Sequence, residues 1–311
     1  MDVDELVRGV LGGDRRVVAR AISAVEDGDP GLEALSQGIF SSTGRAATIG
    51  LTGAPGVGKS TLAAELVRVC RARELRAAVL AVDPTSPYTG GALLGDRVRM
   101  QEHATDPSVF IRSMATRGHL GGMALAAPEA VRILDAAGYE RVVVETVGVG
   151  QAEVDVAAAT DTAVVVLAPG MGDAVQMAKA GILEVADVFV VNKADREGAH
   201  EVVRELRQML HLGAARDWDP PVLSTSAIDH GGVEALWEAI EAHRTHLGAT
   251  GTLAERRRLR LLREVESLAA ERFRVQVATA LAADPALAGD LAERRIDPYG
   301  AAAMLVDRAA G

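Results

Sequence analysis

The sequence predicts an α/β fold: a mostly parallel central sheet flanked by helices, with helical extensions at both ends of the chain. Three observations carry this. Apolar runs rich in β-branched residues recur at 47–52, 77–83, 109–113, 141–146, 162–168, 187–192 and 221–225. Amphipathic stretches at 59–73, 126–138, 173–186, 199–212 and 232–246 separate most of them. Outside this alternation, both ends read as helix alone. Near-continuous apolar strands alternating with helices mark a parallel sheet covered on both faces. Strand order is left open by the sequence, and one antiparallel strand is compatible with it.

Taken in order, residues 1 to about 40 read as short helices. "VDELVRGVLGG" stops at paired glycines, and "RRVVARAISAVEDGD" stops at Gly28. The polar "SSTGRA" reads as a flexible link into the first strand. After about residue 250 the pattern changes. "LAERRRLRLLREVESLAAERFRVQVATAL" is one long helix by period, its basic first turns reading as a solvated face. "DPALAGDLAERRIDPYGAAAMLVDRAAG" reads as two shorter helices begun at Asp-Pro turns. A helical tail that cannot bury both faces against the sheet points to a dimer or partner surface.

Composition narrows the classes. Of 311 residues 49% are apolar, enough for a large core, but only 3% are aromatic, so Leu, Val, Ile and Ala do the packing. Net charge is −10, from 33 basic against 43 acidic residues. Such a chain binds nucleic acid or an anionic membrane poorly, so any phosphate site is local and built partly from backbone N–H groups. The single cysteine, Cys70, excludes an internal disulfide and a zinc cluster and fits a reducing cytosol. Within "LVRVCRA" it reads as a small core residue. The N-terminus lacks the basic start and apolar run of a signal peptide, and no run of about 18 apolar residues occurs. The expectation is a soluble, cytoplasmic protein with neither nucleic acid nor membrane as partner.

"GAPGVGKST", residues 53–61, matches G-x-x-x-x-G-K-[ST] after an apolar strand and before a helix. That context makes the fold a P-loop NTPase. Gly53, Gly56 and Gly58 let the backbone curl, so that N–H groups from Gly53 through Ala54, Pro55, Gly56, Val57 and Gly58 to Thr61 surround phosphate (Pro55 contributing shape alone). The helix N-terminus adds partial positive charge. Lys59 reaches the β- and γ-phosphates, and the Ser60 hydroxyl suits magnesium.

"VVNKAD", residues 190–195, selects the base. A carboxylate at Asp195 accepts from guanine N1 and N2, and adenine offers neither donor. Asn192 meets the opposite edge at O6 or N7, and the Lys193 stem covers the ring face. Unpaired polar groups would penalise the wrong base. "STSAID" adds Ser226 and Ala227, whose backbone suits guanine O6. GTP and GDP are the expected nucleotides.

Acids at strand ends supply the magnesium candidates. Asp83 ends the second strand, and a loop containing Pro84, Pro87, Gly90 and Gly91 leads to Asp96. Asp96 reads either as a magnesium-side acid or as a surface acid paired with Arg97 or Arg99. "VVVETVGVGQ" places Glu145 and Gly148 as a Glu-x-x-Gly switch. Glu145 is then the metal-side acid, and the Gly148 N–H is the candidate γ-phosphate sensor. Magnesium keeps several waters and recruits few carboxylates, so Ser60, Asp83, Asp96 and Glu145 need not all touch it. Val149 occupies the place where small switches carry a water-orienting Gln, and Gln151 lies two residues further on. The catalytic candidates are Lys59, Glu145 and Gln151. "SMATRGHLGG" and "APGMGDAVQMAKAG" offer Arg117, His119, Asp173 and Lys179 as further loop chemistry, with His119 reading as structural or solvent-facing. Trp218 and Trp237 read as packing residues.

Together "GLTGAPGVGKSTLAAEL", "AVDPTSPYTGGALLGDRVRM", "RGHLGG", "VVVETVGVGQAEVDVA", "APGMGDAVQMAKAGILEVADVFVVNKAD" and "DPYGAAAMLV" resemble the MeaB/ArgK family of P-loop GTPases, over residues 10 to 306. The resemblance implies a homodimeric G-protein chaperone of an adenosylcobalamin-dependent acyl-CoA mutase, chiefly methylmalonyl-CoA mutase. Such proteins gate cofactor delivery and protect the mutase. It also implies a phosphate loop containing Lys59 and Ser60, a magnesium shell of Asp83, Asp96 and Glu145, a second switch from Gly148 to Gln151, and a mutase-facing switch loop at 170–180 with Lys179. "TSPYTGG" departs from the more polar "SSxxTGG" expected of the family, at Pro87 and Tyr88. The domains expected are an N-terminal helical extension (1–44), a P-loop GTPase domain (45–248) and a C-terminal helical dimerisation region (249–311).

The displaced Gln151 implies slow hydrolysis until a partner reorders the switches. The competing reading is a P-loop kinase or ATPase associated with lysine, arginine and ornithine transport. A transporter subunit carries an LSGGQ-like signature, which the sequence lacks. A nickel-type metallochaperone GTPase needs a His- or Cys-rich tract, against one Cys and seven scattered His here.

Overall fold

The apolar β-branched runs form seven strands: β1 (Ala47–Thr52), β2 (Ala77–Pro84), β3 (Val109–Thr116), β4 (Arg141–Thr146), β5 (Thr162–Leu167), β6 (Val188–Val191) and β7 (Val222–Ser224). The structure, a computed structural model, describes residues 2–84, 103, 105–116, 122–146, 156, 158–170, 182–213 and 216–310. The helices are α1 (Val3–Leu11), α2 (Arg15–Asp27), α3 (Leu32–Ile39), α4 (Lys59–Ala72), α5 (Gly122–Ala136), α6 (Ile182–Val185), α7 (Ala199–His211), α8 (Val233–Ala249), α9 (Thr252–Ala282), α10 (Pro285–Ala292) and α11 (Pro298–Ala310).

The strands form one sheet in the order β3-β2-β4-β1-β5-β6-β7, and every pairing is parallel. Every residue of β1, β5 and β6 is buried, which is why these strands read as unbroken apolar runs rather than alternating ones. The chain leaves β1 toward β2 on one side and later builds β5, β6 and β7 on the other. The carboxyl end of β1 is therefore the point where the connections diverge, the place where open parallel sheets bind ligands.

Successive residues of a strand face opposite layers. Leu80, Val142 and Val144 pack with Leu6, Val18, Ile22 and Leu35 of α1–α3 and with Ile133 and Leu134 of α5. Val143, Ile49, Leu51 and Val164 face Leu62, Leu66 and Cys70 of α4 and Leu236, Trp237 and Ile240 of α8. Helix α7 covers Phe189 and Val222 with Val203 and Leu206. Burying a Leu or Ile side chain is worth roughly 1.5–3 kcal/mol. With Leu6, Ile22 and Leu35 at 0% exposure, the N-terminal helices are part of the core rather than an ornament on it. Burial pushes the Cys70 thiol up to about 12, the chemistry of an inert core residue.

The link into β1 is pinned, not flexible as expected. Asp135 accepts the backbone N–H groups of Gly44, Arg45 and Ala46. Arg257 donates to the carbonyls of Gly44 at 2.5 Å and Ala46 at 2.7 Å. The basic turn supplying Arg257 is likewise not a simple solvated face. Arg257 also bridges Asp161, buried to 2% exposure just before β5, at 2.6 and 3.1 Å. Its neighbour Arg256 reaches Asp187, just before β6, at 3.2 Å. His243 stands fully buried beside that acid, with Nε2 3.2 Å from Asp187 Oδ1 and Nδ1 2.9 Å from Thr162 Oγ1. Trp218 donates its indole N–H to the Asp187 carbonyl at 2.8 Å, so it does more than pack. Burial pushes the Asp187 carboxyl up, but His243, the Ala163 N–H and Arg256 outweigh it and hold the group below its ordinary 3.8. The amino edge of the sheet is thus a charged network rooting the start of α9.

The chain divides into two compact units, Met1–Arg258 and Leu259–Gly311. In the second, the remainder of α9 packs with α10 and α11 through Val277, Leu287, Leu291, Ala301 and Leu305. Both Asp-Pro turns act as helix starts. Asp284 accepts from the Leu287 N–H at 3.0 Å, and Asp297 from the Tyr299 N–H at 2.9 Å. Among the described residues no helix is long and apolar enough to cross a membrane.

Candidate functional site: the carboxyl edge around β1

The loop from Gly53 to Gly58 turns the chain from β1 into α4. Gly53 has φ 141°, and a Cβ there would stand 2.1 Å from the Val166 carbonyl oxygen of β5. Gly58 has φ 97°, and its Cβ would stand 2.4 Å from Asn192 Nδ2. Both places exclude a side chain by conformation and by space. Val57 is buried against the α4 layer and anchors the loop, whereas Pro55 and Gly56 are exposed and Ala54 is half-buried. Lys59 opens α4 at 5% exposure, and its Nζ donates to the carbonyls of Gly53 at 2.6 Å and Ala54 at 3.1 Å. The ammonium thus sits within the loop, next to the positive end of the helix. Thr61 follows, half-buried.

Ser60 and Glu145 meet although 85 residues separate them, the hydroxyl donating to Oε1 at 2.6 Å. Both are buried, at 7% and 3% exposure. The register pairs Leu51 of β1 and Ala81 of β2 with Glu145, so Asp83 lies two positions further along β2 toward the carboxyl edge. Hydroxyl and carboxylate oxygens are hard donors, the kind magnesium takes. Among the described residues no group of three or more His, Cys, Asp or Glu could hold a metal by itself. Asp96, Gly148 and Gln151 lie outside the described residues, as do Arg117, His119, Asp173 and Lys179.

At the ends of β6 and β7 the residues that the sequence reading assigned to the base converge. Asn192 is 2% exposed. Its Nδ2 donates to the Val57 carbonyl at 2.9 Å, and its Oδ1 accepts from Thr225 Oγ1 at 3.0 Å and the Ala227 N–H at 3.3 Å. Lys193 adopts φ 58°, unusual for a residue with a side chain, and its Nζ donates to the Gly56 carbonyl at 2.6 Å. Its stem therefore runs from the base side to the phosphate loop. Asp195 is exposed, and Ser226 Oγ lies 3.2 Å from its Oδ1 and 2.9 Å from Asp229 Oδ2. One hydroxyl hydrogen serves one of these carboxylates at a time, so the Asp195 carboxylate keeps acceptor capacity for a ligand.

The Methylmalonyl Co-A mutase-associated GTPase MeaB family model matches residues 18–282. The chain belongs to the MeaB family. It is a P-loop GTPase that binds GTP and GDP. A Pyrococcus horikoshii protein assigned to the GTPases is 46% identical over 313 residues, covering 99% of each chain. The GTPase ArgK of Escherichia coli is 40% identical over 81% of this chain and 78% of its own. A crystal structure of a LAO/AO transport system kinase superposes with a TM-score of 0.71 at 26% identity, covering 99% of this chain and 98% of that one.

Sequence reading of this MeaB-family site missed three contributors. Thr225 holds Asn192, Asp229 shares the Ser226 hydroxyl, and His230 ties the 226–231 loop to Glu65 of α4 at 2.7 Å. Each acts through a partner remote in sequence, so no short spacing announces it. The one available signal was the hydroxyl residue immediately before "SA" at a strand end.

Proposed function

We propose that the chain is a GTP-hydrolysing chaperone that gates cofactor loading and protection of an adenosylcobalamin-dependent acyl-CoA mutase, with methylmalonyl-CoA mutase as its client. The observation that carries this is the family match over residues 18–282, whose description names association with that mutase. In this reading Gly53 to Thr61 hold the phosphates, and Lys59 offsets charge on the β- and γ-oxygens. Ser60 and Glu145, with Asp83 and Asp96, hold magnesium, and the buried Ser60–Glu145 contact supports that assignment. Magnesium, when bound, neutralises charge developing on the phosphate oxygens. Gly148 senses the γ-phosphate, and Gln151 orients the attacking water once a client reorders its loop. Asn192, Lys193, Asp195, Ser226 and Ala227 read guanine.

Residues 249–311 serve as the dimerisation region in the same reading. Leu261, Val265, Leu268 and Val275 are exposed at three-, four- and seven-residue spacing on α9, an apolar stripe that a second copy would cover. The deciding measurement is GTP turnover with and without the mutase. Turnover is expected to be slow alone and to rise at least about tenfold with the client, equivalent to about 1.4 kcal/mol of transition-state stabilisation. Fast hydrolysis indifferent to the mutase overturns the proposal. The alternative of a kinase or ATPase in amino-acid transport draws on the likeness to the LAO/AO transport system kinase. Calorimetric preference for ATP over GTP would favour it.

A further inference from the structure

Near their carboxyl ends, strands β2, β4, β1 and β5 carry a row that is apolar at its flanks and polar in its middle. The register sets Val82 of β2 beside Thr146 of β4, and Thr52 of β1 beside Val165 of β5. One step beyond the Leu51–Glu145 pair, it sets Thr52 beside Thr146. Leu51 and Val143 pack toward α4, so by alternation the row Val82–Thr146–Thr52–Val165 lies on the opposite face. Thr52 and Thr146 are both 0% exposed, and neither hydroxyl has a hydrogen-bond partner among the described residues. Gly50 precedes Thr52 on the same face and lets residues 156 and 160 lie close against β1, since a Cβ there would stand 2.5 Å from Thr160 Oγ1. That hydroxyl is engaged elsewhere, donating to the Val156 carbonyl at 2.9 Å. A buried hydroxyl left unsatisfied is costly, and valine, which fills the flanks of the row, has the same shape without that cost. Two hydroxyls side by side instead suit one water, which is held inside a protein by two or more polar partners.

We propose that Thr52 and Thr146 are a positioning pair that shares one buried water and clamps the end of β4 to the end of β1. Thr146 directly follows Glu145, and Thr52 directly precedes Gly53. The clamp therefore joins the root of the acid to the root of the phosphate loop. The Ser60–Glu145 bond makes the matching join on the α4 face. Held from both faces, the Glu145 carboxylate keeps its place for magnesium. The proposal rests on the reading that Ser60 and Glu145 hold that ion. Neither threonine touches metal or nucleotide in this scheme, and both act through Glu145.

The test is a double-mutant cycle on the full chain, Thr52→Val against Thr146→Val, with two readouts. In urea unfolding without nucleotide, each single variant leaves the other hydroxyl and the water short of a partner and is expected to lower the midpoint. The double variant, apolar on both strands, is expected to recover most of that loss. In GTP turnover, the magnesium concentration for half-maximal rate is expected to rise about threefold or more in each single variant. Thr146→Ser, which keeps the hydroxyl, is expected to restore it. Additive midpoint shifts overturn the shared water. Lowered midpoints with an unchanged magnesium requirement overturn the positioning role, because the threonines would then be merely structural. A crystal structure of the wild-type chain needs no variant to fold: one water between the two Oγ1 atoms is expected, and hydroxyls in direct contact overturn the proposal. Glu145→Gln separates the two levels of argument. It should raise the magnesium requirement at least about tenfold, and if it does not, the magnesium reading itself fails. If it does while the threonine variants leave the requirement unchanged, only the pair's role falls.

Discussion

The two edges of the same sheet are built by opposite means. At the carboxyl edge the chain offers backbone: a glycine loop, the start of α4, and a few side chains that bond mostly to main-chain atoms, as Lys59 does to Gly53 and Ala54 and Asn192 to Val57. At the amino edge charged side chains pair with one another as well as with the main chain, Asp161 with Arg257 and Asp187 with His243 and Arg256. The first edge is arranged to receive charge from a ligand. The second has its charges matched internally, and its task is to hold the first turns of α9, as far as Arg258, and the entry to β1 in place. A site that recognises a ligand must leave bonding capacity open, whereas a structural network is most stable when closed.

The largest expected effect comes from opening the closed edge. Asp161→Ala removes the partner of Arg257 and the acceptor of the Thr48 N–H, and should cost about 3–5 kcal/mol in urea unfolding. GDP affinity should move by less than about 0.5 kcal/mol, since a strand length separates the edges. Loss of GDP affinity in the folded variant would show that the edges are not independent. Next in size is Lys59→Ala. Turnover should fall at least about a hundredfold, while unfolding without nucleotide shifts by under about 1 kcal/mol. A large stability loss there would make the loop structural as well. The smallest effect is the acid limb. Asp187 is held below 3.8 in the folded chain, so the unfolded chain binds its proton first as pH falls. Its contribution is complete above the unfolded value and is lost as pH drops through the lower folded one. Between about pH 5 and 3 the urea midpoint should fall, and Asp187→Asn should flatten that slope. An unchanged slope in the variant would assign the acid sensitivity elsewhere.

The same contrast explains what could be read from the residues alone. The strands announced themselves because burial on both faces leaves mainly β-branched and aliphatic residues, as in "TAVVVL" at 162–167. Lys59, Ser60 and Asn192 could be singled out because they lie in short motifs of fixed spacing, "GAPGVGKST" and "VVNKAD", each at the end of an apolar strand. Asp161 and Asp187 looked like ordinary acids at strand starts, and Arg256 and Arg257 like solvated charge. Their meaning depends on α9 returning to the sheet, which local pattern does not encode. The link at 41–46 reads as loose because Ser, Thr and Gly favour turns. What stiffens it, Asp135 and Arg257, lies far along the chain. Thr225 escaped for a related reason: a buried hydroxyl becomes informative only once its acceptor is known.

The arginine root of α9 has a consequence for how this molecule could be trimmed or recombined. A chain ending with α8 would retain Asp161 and Asp187 in the sheet but lose both guanidinium groups. Burying a carboxylate without its counter-ion costs on the order of several kcal/mol. A shortened nucleotide domain therefore has to carry α9 as far as Arg258 to stand alone. A graft that exchanges the C-terminal helices for another tail would have to splice beyond that residue, leaving the two arginines with the sheet they complete.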